Sequence, residues 1–194
     1  VGYKELTIPP NPDGSHKLDR HSFHIWPRGR FMFIAMPNLD GSFTCTLFMP
    51  FEGEVSFEKL DTKKATRAFF TKYFPSVMQD IENLCEDFFR NPTSALVTIR
   101  CYPWTYWDKV ALVGDSAHAV VPFFGQGMNA GLRDAHNVAW KIRAALETGD
   151  AGLLDSYDTE RRKPAWDMIQ LAVTMGDVVM PMGAEEIAFR NHLI

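Results

Sequence analysis

Between Lys109 and Gly131 the chain reads as a short apolar run, Val110 to Val113, then Gly114-Asp115. A loop broken by Pro122, Gly125 and Gly127 follows, and then a long helical stretch opens. This arrangement constrains the fold around it, because a strand ending on a carboxylate is set against a helix start with bare amides. The apolar run is expected to be a buried strand that delivers Asp115 at its tip. The amides of Gly127, Met128 and Asn129 lack intrahelical partners, and the positive end of the helix favours negative charge by about 0.3–1 kcal/mol. Glycines at 114, 125, 127 and 131 carry no Cβ, so a ligand can approach the backbone there. Together these features suit a polyhydroxylated, electron-rich ligand. The plainer alternative is a turn-capping Asp115 followed by an ordinary helix start.

The 194 residues could hold one large domain or two small ones. A net charge of −4 without a basic block argues against nucleic acid as a partner. The apolar runs are far shorter than a membrane span, and no signal peptide is visible. Cys45, Cys85 and Cys101 are widely spaced and form no C-x-x-C pattern, so reduced thiols in a cytoplasmic setting are expected. His16, His21 and His24 lack zinc spacing, and no metal is expected. The first residue is Val, and Tyr3 to Ile8 already reads as a strand, so the chain is expected to be a piece of a longer one.

Strand-like runs at Phe23–Trp26, Phe31–Met36 and Phe43–Met49 open the chain, with Asp40-Gly41 as a hairpin signal. Alternation places Met32, Ile34 and Met36 on one face and Phe31, Phe33 and Ala35 on the other. Both faces are apolar, so one suits a core and the other a core or a ligand. Asp61 or Thr62 can cap a helix through Tyr73, ended by Pro75. Ser76 and Gln79 have capping-box spacing for a second helix to about Phe89. Ala95 to Tyr102 reads as a strand. From Gly127, Leu132, Ala135, Val138, Ala139, Ile142 and Leu146 recur at helical spacing as an apolar face. Gly149 and Gly152 break the pattern, and another helix spans about Leu154 to Met175 with Pro164 as a kink or boundary. Little pattern follows Pro181.

A flavin, negative near N1 and the C2 carbonyl when reduced, is one ligand that Asp115 and the Gly127–Asn129 amides would suit. Gly114-Asp115-Ser116 also has an ester-hydrolase reading, with Ser116 as nucleophile and His118 as base. The two are only two residues apart after a strand, and no second acid is placed to orient the histidine. A third reading is a remnant that folds or associates without catalysis.

Gly114-Asp115 with Pro122 and Gly125-x-Gly127-Met128-Asn129 resembles the second FAD fingerprint of the flavin-dependent aromatic hydroxylases, the para-hydroxybenzoate hydroxylase-like class. Tyr3–Pro9, His24–Arg28, Phe43–Pro50 and Val121–Asn129 are similar to members acting on L-kynurenine. Beyond Gly131 the likeness turns toward phenol- and hydroxyphenylpropionate-type hydroxylases, on Leu132–Ala135, Asn137–Lys141, Leu153–Tyr157 and Glu160–Arg162. The resemblance implies an α/β (α+β) architecture. A mixed or antiparallel substrate-domain sheet with two helices would span residues 1–105, and the C-terminal part of an FAD-binding domain would span 106–180. A poorly defined tail would cover 181–194. The class's N-terminal Rossmann unit with its G-x-G-x-x-G would precede Val1, so this chain alone is expected to hold FAD weakly or not at all.

It further implies that Gly114, Asp115, Pro122, Gly125, Gly127, Met128 and Asn129 bind FAD. Met32, Ile34, Met36 and Phe48 would line the aromatic pocket, closed by Pro122, Phe123, Phe124 and Gly125. The expected activity is ring hydroxylation with NADPH and O₂, L-kynurenine being the substrate at its 3-position, with no side chain acting as a catalytic base. A homodimer is compatible with this reading.

Overall fold

The structure, a computed structural model, describes residues 1–107, 109–181 and 183–193. Two compact units emerge, one from residues 1–96 with the segment from Val179 onward, the other from residues 97–178. The sequence-based boundaries lie later, at 105/106 and 180/181.

The first unit is built on a five-stranded sheet in the order β2-β3-β4-β1-β5, comprising β1 (Gly2–Ile8), β2 (His24–Pro27), β3 (Met32–Pro37), β4 (Phe43–Met49) and β5 (Ser94–Ala95). All the pairings are antiparallel, and β3 meets β4 with Met32 opposite Phe48 and Ala35 opposite Cys45. The β3–β4 turn works as its residues require. Gly41 takes φ +88, and the Asp40 carboxylate accepts from the Ser42 amide at 3.0 Å and its hydroxyl at 2.6 Å. A Cβ on Gly41 would come within 2.3 Å of the Gly14 carbonyl oxygen, so no other residue fits.

Strand alternation separates two faces. Leu6, Ile8, Phe33, Ala35, Phe43, Cys45, Leu47 and Met49 point into one core with Phe70, Phe74, Val77 and Leu84. Each large side chain buried in this way contributes about 1.5–3 kcal/mol, which makes this layer the main source of the unit's stability. The helix α1 (Lys63–Tyr73) starts where the sequence places it, with the Thr62 hydroxyl accepting from the Ala65 amide at 3.2 Å. Ser76 does not cap a second long helix. Pro75 begins a short α2 (Pro75–Met78), and α3 runs separately over Leu84–Arg90. Proline suits a first helical position because it has no N–H to lose, and Asp80 and Asn83 favour the intervening turn.

Lys4 points into the core, against expectation for a charged residue. Its ammonium donates to the carbonyls of Phe88 at 2.8 Å and Asn91 at 2.9 Å, which closes the C-terminal end of α3. The segment after Pro181 is not a formless tail but forms α6 (Ala184–Leu193). Glu185 and Glu186 in its first turn and Arg190 and His192 in its last complement the helix dipole, a charge signal independent of apolar periodicity.

In the second unit, β6 (Thr105–Tyr106) and β7 (Val110–Ala111) form a small hairpin. The strand expected over Ala95–Tyr102 does not form beyond Ala95, and residues 96–101 lie outside both sheets. Their amides at Ile99 and Cys101 donate to Ala119 and Ala117, both at 2.9 Å. The apolar run at Val110 is therefore short and exposed rather than a buried strand. Val110 is 53% exposed, because β7 pairs with β6 alone among the described residues.

Helix α4 (Gly127–Thr148) ends at Gly149 with φ +74, and α5 (Gly152–Val179) continues through Pro164. The face that α4 buries is the opposite of the one expected. Leu132 and Leu146 are 61% and 81% exposed, whereas Ala130, Asp134 and Lys141 are buried. Hydrogen bonds to α5 explain the inversion. Asn137 donates to Glu160 at 2.9 Å, Lys141 donates to Glu160 at 2.9 Å and to the Ser156 hydroxyl, and Arg161 donates to Asp134 at 2.8 Å.

Candidate functional site

The Gly114-Asp115-Ser116 segment forms a single 3-10 turn. Gly114 takes φ +60, and its carbonyl accepts from the amides of Ala117 at 2.8 Å and His118 at 2.9 Å. The Ser116 hydroxyl accepts from the Val113 amide at 3.0 Å and donates to the Val113 carbonyl at 2.8 Å, so it serves the turn itself. Gly114 packs directly on Gly131 in the second turn of α4. A Cβ on either would sit 3.5 Å from the other's Cα. Two glycines in contact thus bring the acid-bearing turn against the beginning of the helix.

Asp115 is exposed, and its carboxylate has no hydrogen-bond partner among the described residues. The N-terminal end of α4 is likewise open. Gln126 stands at the N-cap, but its side chain caps no backbone amide of the helix, and the first turn contains no acid. Met128 and Asn129 are exposed, and the Asn129 amide donates to the Gln126 side chain at 3.2 Å. Before the helix, Pro122–Phe124 make a second 3-10 turn closed by Gly125 at φ +62, with open space where its Cβ would lie. The second unit therefore assembles Gly114, Asp115, Pro122, Gly125, Gly127, Met128 and Asn129 around a turn and a helix start. A carboxylate able to accept from hydroxyls and amides able to donate to an anion belong to the same segment, on a surface kept low by glycine.

The expected pocket residues of the first unit also share a location. Met32 and Phe48 are cross-strand neighbours, Ile34 follows on the same face, and all three are buried. Met36, at the far end of β3, is 42% exposed. Pro122, Phe123, Phe124 and Gly125 belong to the other unit.

His118 is a hydrogen-bonded structural histidine, the plainer of the readings its sequence position allows. It is fully buried, its Nε2 is 2.5 Å from Asp134, and its ring stacks on Trp104 at 5.0 Å. The hydrolase reading falls on this geometry. Ser116 is bonded to the Val113 backbone, and His118 Nδ1 has no hydrogen-bond partner among the described residues, Ser116 included. An acid does orient the histidine, contrary to the sequence reading. It comes from α4, and the spacing Ala130, Asp134, Asn137, Lys141 was the signal, a helical stripe hidden behind the apolar one.

Residues 96–172 match the family model described as an FAD binding domain. Over 169 residues, 87% of the chain, the sequence is 68% identical to a kynurenine 3-monooxygenase of Flavobacterium psychrophilum and 60% identical to one of Christiangramia forsetii. The chain is similar to kynurenine 3-monooxygenases. It spans 37% of the length of each of these two relatives, and alignments of 169 residues necessarily continue past Gly131. Among solved structures, PqsL of Pseudomonas aeruginosa, determined in complex with 2-aminobenzoylacetate, superposes with a TM-score of 0.73 at 18% identity, covering 99% of this chain and 50% of that one. At that identity the superposition speaks for the fold, which is that of the FAD-dependent hydroxylases expected from the motif.

Proposed function

We propose that this chain forms part of an FAD-dependent monooxygenase that hydroxylates an aromatic ring with NADPH and O₂, acting on L-kynurenine at its 3-position. The observation that carries the reading is the contact between Gly114 and Gly131, which brings the turn bearing the exposed Asp115 against the uncapped beginning of α4. These residues fit FAD. Asp115 would accept hydrogen bonds from the cofactor's hydroxyls, and the helix start, with Met128 and Asn129, would hold the flavin's electron-poor ring, favouring the charge it gains on reduction. When bound and reduced by NADPH, FAD would activate O₂ for transfer of one oxygen atom to the ring.

The remaining tasks fall to apolar side chains. Met32, Ile34, Met36 and Phe48, along one face of the sheet, would bind the ring and exclude water. Kynurenine carries its own ring amino group, which activates the position to be attacked, so no strong base is required. Reduced thiols and an acidic sequence pI near 5.9 suit a cytoplasmic setting. The alternative substrate class is phenols or 3-(3-hydroxyphenyl)propionate, although the similarity to the kynurenine 3-monooxygenases continues past Gly131.

The test uses a chimera in which this chain replaces the matching segment of the Flavobacterium psychrophilum relative. The chimera is expected to purify with FAD and to convert L-kynurenine, but not simple phenols, to a hydroxylated product seen by mass spectrometry. Asp115→Ala is expected to lose most of its flavin. Full flavin content in Asp115→Ala would overturn the role of the turn, and turnover of phenols alone would transfer the reading to the other substrate class.

A further inference from the structure

The acid-bearing turn and α4 are joined beneath the surface by an ionic cluster that the proposed chemistry does not use. His118, Asp134 and Lys141 are buried, and Arg161 keeps 14% of its side chain exposed. Asp134 is held at both oxygens, one by His118 Nε2 at 2.5 Å and the other by Arg161 Nε at 2.8 Å. The same histidine, through its backbone amide, donates to the Gly114 carbonyl, and Gly114 touches Gly131, three residues before Asp134. A closed loop results, running from the turn through His118 to Asp134, along one helical turn of α4 to Gly131, and back to Gly114. Trp104 stacks on the imidazole, and Tyr157 donates to the Leu112 carbonyl at 2.9 Å, bracing the segment that leads into the turn.

We propose that His118, Asp134 and Arg161 are positioning residues that set the Asp115 turn against the amides of α4, and that cofactor affinity depends on their ionic geometry. This inference rests on the FAD reading. An amide in place of the carboxylate keeps an oxygen for only one of the two partners and turns its N–H₂ group toward the other, so His118 could accept it only by moving its own proton to the buried, unpartnered Nδ1. A shift of the helix start relative to the turn would break the His118–Asp134 bond, while Arg161 holds Asp134 from α5. The pair Lys141–Glu160 provides the comparison. It is an ion pair between the same two helices, with Lys141 only 1% exposed, but it lies two turns further along α4 and has no link to Gly114.

The experiment compares Asp134→Asn with Lys141→Met in the chimera. FAD affinity is read by flavin fluorescence, and exchange of the Ala117 and His118 amides is read without cofactor. Asp134→Asn is expected to weaken FAD binding by about tenfold or more and to speed exchange at both amides similarly, whereas Lys141→Met changes neither beyond about twofold. Equal losses in the two variants, or parental values in Asp134→Asn, would overturn the inference while leaving the FAD reading intact. A parental chimera that binds no FAD would defeat both. Should Asp134→Asn fail to fold, Arg161→Lys carries the comparison, since it keeps the charge but loses the planar guanidinium. A loss greater than that of Lys141→Met supports the proposal, and parity overturns it.

Discussion

At the residue scale, burial decides chemistry more than identity does. Cys45 lies in the hydrocarbon core, and desolvation of its thiolate pushes its pKa up to about 12. The thiol is therefore inert at neutral pH. Cys101, in the second unit, is half-buried. Treatment of the native chain with iodoacetamide is expected to alkylate Cys101 well before Cys45, with Cys45 reacting only after addition of denaturant, as peptide mass mapping would show. Early labelling of Cys45 would mean that β4 opens far more readily than its packing implies. Lys4 makes the reverse point. Burial lowers the pKa of its ammonium, yet two α3 carbonyls hold it in place. A charged residue in a strand can thus be a helix cap in disguise.

At the scale of elements, local chemistry was legible and tertiary choice was not. The period of two in β3 and β4, the Asp40-Gly41 turn and the Thr62 cap need only neighbouring residues, and each stands where the sequence places it. Because the cap is a single hydroxyl-to-amide bond, Thr62→Ala is expected to cost about 0.5–2 kcal/mol in urea unfolding, whereas Thr62→Ser should cost little. The failures have a common cause. Which face of α4 is buried depends on α5, whose partners lie 15 to 27 residues away, and polar partners there outweighed the apolar stripe. Likewise Val110–Val113 looked buried because apolar runs usually are, but the covering of a strand is a property of its neighbours. Of the candidate site, Gly114, Asp115 and Gly127–Asn129 could be found from their spacing alone. The His118–Asp134–Arg161 cluster could not, since its members come from a turn and two helices.

At the scale of the whole molecule, the two units are stabilised by different physics. The first is held by hydrocarbon. The second has a smaller apolar core around Trp104, Ala117, Tyr157 and Ala165, and relies on charges between helices. Glu160 illustrates the consequence for pH. Hydrogen bonds from Asn137, then Lys141 and Ser156, lower its pKa from 4.5 to about 2. Its folded value lies below its unfolded one, so its contribution is complete above about 4.5 and is lost as the pH falls toward about 2. Protonation also leaves the Lys141 ammonium without its counter-charge. Amides of α4 and α5 are therefore expected to lose exchange protection across that interval before those of β1 and β4 do. Simultaneous loss in both units would contradict the division.

The ionic seam between α4 and α5 also bears on how such a sequence can drift. An oily interior accepts Leu for Ile or Met for Phe at modest expense, because dispersion forces have no direction. Asp134 and Lys141 have no such substitutes, since a neighbour in the genetic code brings the wrong charge, length or donor count. Divergence should therefore accumulate in the sheet-bearing half and stall along the helices.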